Sequence, residues 1–159
     1  MGGITFDSLN LSGSAVDNLE VISDKKIEVL NLTDSDVWEL FSLEGAKINK
    51  IILGKTKVPS LWALMKVNVS DLSVIQDKNT KFPVNLLYRL KKLTLVNPKT
   101  LVLPYTNNPS LEEIDISKTN LLNPKVLLGY KKLKILKINR LSFPEDLAKQ
   151  LRKKGVQVN

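Results

Sequence analysis

The chain has 159 residues, a net charge of +8 and 43% hydrophobic residues, carried by Leu, Ile and Val more than by aromatics; this is the size and apolar content of one domain or one short repeat array. Cysteine and histidine are both absent, which excludes a disulfide framework, thiolate metal sites and the commonest general base and metal ligand. No stretch reaches the roughly 18 apolar residues of a membrane-spanning helix, and the first residues lack the basic-then-apolar order of a signal peptide, so a cytoplasmic location is expected.

The first unit places apolar residues at Phe6, Leu9, Leu11 and Val16 and a hydroxyl at Ser14. The same spacing returns at Ile27, Leu30, Leu32 and Val37 with Ser35, and again at Ile48, Ile51, Leu53 and Val58 with Thr56. These are positions 1, 4, 6 and 11 of a repeating unit, with the hydroxyl at 9. The separation of Ile27 from Ile48 defines the period, and Leu111 falls three whole periods after Ile48. A fixed period of this length marks stacked repeats. Two further apolar residues follow in each unit: Leu19 and Ile22, Leu40 and Leu43, Leu61 and Leu64.

The front of each unit reads as a short strand, with positions 4 and 6 on one face and positions 3, 5 and 7 on the other. A strand this short is unstable alone. Stacked in register, successive strands pair in parallel and share one interior. The hydroxyls at position 9 are expected to turn inward and bond backbone groups left unpaired where the chain exits the strand. The back half must return the chain in about ten residues, too few for a crossover helix, so short 3-10 or irregular turns are expected.

Two registers fit the fourth unit. Strict periodicity places its strand on Val69, Leu72 and Val74, with Asp77 at position 9. The spacing of Val69, Leu72 and Ile75 also suits a back half, which would leave a degenerate strand at residues 66–68. Residues 77–83 read as a polar connection, and residues 84–90 as a helical turn. The fifth unit has Leu90, Leu93 and Leu95, with Pro98 replacing the hydroxyl; the prolines at 104 and 109 make its return extended. The sixth runs from Leu111 through Ile114, Ile116 and Thr119 to Leu121, followed by Val126, Leu127 and Leu128. The seventh starts one residue late, at Leu133, and continues with Leu136, Ile138, Leu141 and Phe143.

Residues 144–155 read as a closing helix, with Pro144 at its start, two acids in the first turn, bases in the last and Gly155 at its end. Residues 156–158 suit a final short strand. The domain is thus one array, residues 6–143, with a cap at 144–159. Nothing equivalent covers Phe6, so a preceding segment or a partner is expected there.

The pattern Leu-x-x-Leu-x-Leu-x-x-(Ser/Thr)-x-(Leu/Val) over residues 6–143 resembles the leucine-rich repeat family, and its short period and position-9 hydroxyls are similar to bacterial members. The resemblance implies an α/β, β-rich right-handed solenoid with a concave parallel sheet, an irregular or 3-10 convex side and a C-terminal capping helix. It implies protein recognition and no catalytic residue. Asp77, Pro98 and the fourth unit depart from the pattern.

Other motifs carry little. Gly54-Lys-Thr56 ends like a phosphate-binding loop but lacks the upstream glycine, since position 49 is Asn. Three Asn-x-Ser/Thr sequons, at Asn10, Asn31 and Asn68, follow from the repeat itself. Glu112, Glu113 and Asp115 cluster, but only the last two share a strand face. Trp38 and Trp62 lie in back halves, where packing against the convex side competes with a role as exposed anchors. No cofactor, metal or catalytic group is assigned.

The sequence leaves the outward strand face for function. Its candidate protein-binding residues are Val29, Asn31, Ile52, Ile75, Thr94, Val96 and Asp115, with the apolar members near the middle. The charge suggests an alternative partner. Residues 1–65 carry −3, residues 66–124 carry +3 and residues 125–159 carry +8, so Lys131, Lys132, Lys134, Lys137, Arg140, Arg152, Lys153 and Lys154 could bind nucleic acid or acidic lipid. A solvated basic end with no partner explains the same residues.

Overall fold

A computed structural model describes residues 5–58, 60–75, 84–96, 100–106 and 109–159. The fold is α/β and mostly one parallel sheet. Its strands are β1 (Thr5–Asn10), β2 (Lys26–Asn31), β3 (Lys47–Gly54), β4 (Asn68–Ile75), β5 (Lys92–Val96), β7 (Glu113–Ile116), β9 (Ile135–Ile138) and β10 (Gln157–Val158), hydrogen-bonded in that order. Two shorter strands, β6 (Thr100–Leu101) and β8 (Asn120–Leu121), form a separate parallel pair.

The register follows the sequence period. Leu9 pairs with Leu30, Leu30 with Ile51, Ile51 with Leu72, Leu72 with Leu93 and Leu93 with Ile114, each a step of one period. The fourth unit is therefore in strict phase: residues 68–75 are strand, not return. The next step, Ile114 to Leu136, is longer by a single residue, the late start read at Leu133. Asp77 at its position 9, the polar connection at 77–83 and Pro98 lie outside the described residues.

The alternation works as expected, with one refinement. Positions 1, 4 and 6 are all buried in the second and third units, at Ile27, Leu30 and Leu32 and at Ile48, Ile51 and Leu53, although positions 1 and 4 differ by an odd number. The registered pairs pass over position 2, at Asp7, Glu28 and Asn49. That interruption lets both residues reach the same interior, as a local break in strand alternation does.

The strand exits repeat a second device. Position 8 takes a left-handed conformation in each of the first three units: Gly13 (φ 66°), Asp34 (φ 57°) and Lys55 (φ 52°). The reversal brings the position-9 hydroxyl inward. Ser14 Oγ donates to Leu11 O at 2.7 Å and Ser35 Oγ to Leu32 O at 2.8 Å. Thr119 Oγ1 instead donates to Leu95 O of the preceding unit, at 2.8 Å.

The return segments carry 3-10 turns at Glu20–Ile22, Phe41–Leu43, Trp62–Lys66, Val84–Tyr88 and Pro124–Gly129. Each of the first three is held by the same bond, from Ile22 N to Leu19 O, Leu43 N to Leu40 O and Leu64 N to Leu61 O, at 3.0 to 3.1 Å. Those six side chains are buried. They face the strand side chains across one continuous core, which the stacking of neighbours creates.

Helix α1 (Glu145–Lys153) closes the far end and buries Leu147, Ala148 and Leu151. Gly155 follows it at φ 85°, the left-handed stop that glycine adopts without strain. At the near end Phe6, Leu9, Leu11 and Val16 are only partly buried. Leu141 departs from the sequence reading. It is 98% exposed in a turn, because the chain leaves β9 at Ile138 for the helix instead of completing a seventh unit. Among the described residues no helix is long and apolar enough to cross a membrane.

Candidate functional site

The candidate protein-binding residues share the outward face of the sheet. Val29, Asn31, Ile52, Ile75, Thr94, Val96 and Asp115 are all half-buried, as side chains on a pleated surface open to solvent should be. Ile75 and Val96 are direct cross-strand partners. Ile52 sits in the adjoining row, in register with Asn31 on one side and Ser73 on the other, and that row continues to Thr94 and Asp115. Val29 stands apart, in register with Ser8 and Lys50.

Beside this apolar strip runs a feature that strand-by-strand reading missed. Position 3 alternates in charge through Lys50, Asp71, Lys92 and Glu113, which are registered neighbours on β3, β4, β5 and β7. Lys50 reaches Asp71 at 3.7 Å and Lys92 reaches Glu113 at 3.1 Å. Lys137 then bridges Glu113 and Asp115, each at 3.5 Å. Three cations and three carboxylates thus neutralise one another on the face. The sequence signal was present, because the four position-3 residues follow one another at the repeat period.

The ladder perturbs its members differently. Burial pushes the Asp71 carboxyl above its ordinary value, against the pull of Lys50 and Lys92. Burial acts in the same direction on Asp115. There the hydrogen bonds from the Ser117 hydroxyl and amide and the charge of Lys137 outweigh it, so that carboxyl titrates below its ordinary value. Lys92 is held protonated by its hydrogen bond to Glu113.

Two of the seven candidates have a structural task as well. Asn31 Oδ1 accepts Thr33 N–H at 3.0 Å and Asp115 Oδ1 accepts Ser117 N–H at 3.1 Å. Asn10, at the equivalent position, caps Ser12 N–H at 3.1 Å, and Asn139, two positions beyond the equivalent Lys137, caps Leu141 N–H at 3.1 Å. A short polar side chain at position 5 satisfies the backbone where the strand ends. The units with an apolar or hydroxyl residue there, at Ile52, Ser73 and Thr94, are those that give the face its less polar centre.

The basic end is partly committed. Lys134 pairs with Glu112 at 2.6 Å, Arg152 with Glu145 at 2.8 Å, and Lys137 belongs to the ladder. Lys154 Nζ donates to Leu128 O at 3.0 Å. Among the described residues Lys131, Lys132, Arg140 and Lys153 make no ion pair. Four of the eight cations, Lys134, Lys137, Arg152 and Lys154, therefore already hold an oxygen partner within the chain.

The return side differs from the packing expected of it. Trp38 is 60% exposed, Phe41 61% and Trp62 56%. Aromatic rings on these segments have no room inside, because Leu40, Leu43, Leu61 and Leu64 already fill the interior behind them. No family model matches this chain, and no curated protein and no solved structure matches it.

Proposed function

We propose that the chain is a leucine-rich-repeat solenoid of the bacterial type, right-handed and concave on its sheet side, and that it works as a non-enzymatic protein-interaction module. Its partner docks on the outward sheet face, over Ile52, Ile75 and Val96. The observation that carries this reading is the pairing of an apolar strip with a charge ladder that is neutral within itself. Such a face favours a partner through apolar burial and shape, with the ladder as a polar rim that sets register. A cytoplasmic location belongs to the same proposal and rests on the sequence alone.

The alternative, anion binding at the basic end, has less support, because Lys134, Lys137 and Arg152 already hold carboxylate partners. Quantitative affinity capture with the wild-type chain and with an Ile52→Asp, Val96→Asp double variant tests the proposal. Interactors kept by the wild type and lost by the variant are expected. Equal retention by both would remove the sheet face as the docking surface.

A further inference from the structure

We propose that the return side of the first three units is a second docking surface, which takes an arginine-rich or lysine-rich peptide segment of a partner protein. The inference starts from equivalence of position. Asp17 and Trp38 stand one repeat period apart, and Glu20, Phe41 and Trp62 follow one another at the same interval. The two sets therefore form neighbouring columns, offset by three positions along each unit. In both columns a carboxylate of the first unit precedes an aromatic ring of the second. The turn Phe41–Leu43 packs against the turns on either side, Glu20–Ile22 and Trp62–Lys66, so the columns are continuous. Asp17 and Glu20 are exposed, as are all three rings.

Glu39 lies between Trp38 and Phe41 in sequence, and its carboxylate caps the turn by accepting the backbone N–H groups of Phe41 and Ser42. Charge supplies the identity of the occupant. Residues 1–46 hold 2 Lys/Arg and 9 Asp/Glu, a net −7, whereas residues 47–159 hold 22 and 7, a net +15. Among the described residues Asp17, Glu20, Asp24, Asp34 and Glu39 make no ion pair. The chain is basic as a whole, yet two of the three rings, Trp38 and Phe41, lie in its strongly acidic first segment, and Trp62 stacks against it from the next unit.

A cation satisfies both components at once. It is drawn to the face of an aromatic ring and to the carboxylate beside it. Guanidinium suits the arrangement best, since it stacks on a ring while its edge donates to a carboxylate. Phosphate-bearing ligands are disfavoured by the acidic excess that remains after Asp36 pairs with Lys57 and Glu44 with Lys66, which sets this surface apart from both the sheet face and the basic end.

The chain contains two tryptophans, Trp38 and Trp62, so intrinsic tryptophan emission reports on this surface alone. The probe is a nine-residue peptide of alternating Arg and Leu, labelled for anisotropy, with a Glu-Leu peptide as control. A saturable change in tryptophan emission is expected with the Arg peptide and none with the Glu peptide. Phe41→Ala with Trp62→Ala should weaken binding about tenfold, and Asp17→Asn with Glu20→Gln should weaken it and flatten its salt dependence. All four positions are exposed, and the carboxamide pair tests the site without touching a ring. Ile52→Asp, on the sheet face, should leave peptide binding unchanged, which keeps this test separate from that of the sheet surface. Unchanged tryptophan emission, or equal affinity for both peptides or for all variants, would overturn the proposal. A saturable emission change on concentrating the protein without peptide would overturn it in favour of a second copy.

Discussion

Replacing Leu72 and Ile75 separately by alanine puts the register of β4 to a quantitative test. The two residues are three apart in sequence and both aliphatic. Leu72 is fully buried between Ile51 and Leu93 of the flanking strands, whereas Ile75 is half-exposed on the outward face. Leu72→Ala removes three carbons from the interior, roughly 2.4 kcal/mol at about 0.8 kcal/mol per buried methylene. Incomplete collapse of the cavity adds about 1 kcal/mol, for a total near ~3.5 kcal/mol. Ile75→Ala removes the same number of carbons from a surface already half in water and should cost about 1 kcal/mol. Urea unfolding followed by far-ultraviolet circular dichroism measures both, with the slope expected to stay constant. In melting temperature the Leu72 variant should fall by roughly 7 to 14 °C. If residues 68–75 were a return segment, Leu72 and Ile75 would both face inward. Equal losses at the two sites, or a loss under about 1 kcal/mol at Leu72, would refute the reasoning.

Three further predictions follow from particular side chains. Asp71 is held above its ordinary value, so the folded chain binds its proton more tightly than the unfolded chain does, and its contribution to stability falls as pH rises through the folded pKa. Asp71→Asn should therefore raise the melting temperature at pH 7, with the gain fading as pH drops below the ordinary aspartate range, where the wild-type group is neutral in both states; thermal melts across pH 3 to 7 check it. Lys55→Gly should stabilise by about 0.5 to 1 kcal/mol, since a left-handed lysine costs about 1 to 2 kcal/mol and glycine gives back part of this through its freer unfolded chain; a lower urea midpoint would contradict it. Asn31→Val should cost about 1 kcal/mol by leaving Thr33 N–H without its acceptor, whereas Thr94→Val, on the same face, should stay within about 0.5 kcal/mol of the wild type.

Much of the sheet was legible because it rests on spacing. Leu30, Ile51, Leu72, Leu93 and Ile114 recur at a constant interval, and only a parallel stack buries all of them at once. The closing helix was legible from its ends, Pro144 and Gly155. The fourth register was ambiguous because Val69, Leu72 and Ile75 also satisfy a spacing of three; the pairing of Leu72 with Ile51 and Leu93 decides it. Leu141 was misread because spacing does not show where an array stops. The rings of Trp38 and Trp62 were placed on the right segments but expected to pack, and the return side has too little interior for them. The charge ladder of Lys50, Asp71, Lys92 and Glu113 needed comparison across units, since within any one strand each is a single polar residue. The pair β6 and β8 left no signal beyond the prolines around it. There Leu122 N donates to Leu101 O at 2.8 Å, and Asn123 brackets Leu103 through Leu103 N to Oδ1 and Nδ2 to Leu103 O.

The account depends on short strands, spaced one repeat period apart in sequence, lying side by side in parallel, and nuclear Overhauser contacts between backbone protons of the isotope-labelled chain measure this directly. Contacts linking Leu30 to Ile51, Ile51 to Leu72 and Leu72 to Leu93, and then Ile114 to Leu136 across the one longer step, are the expected result. Antiparallel pairings between successive strands, or helical contacts through residues 26–31 and 68–75, would contradict it.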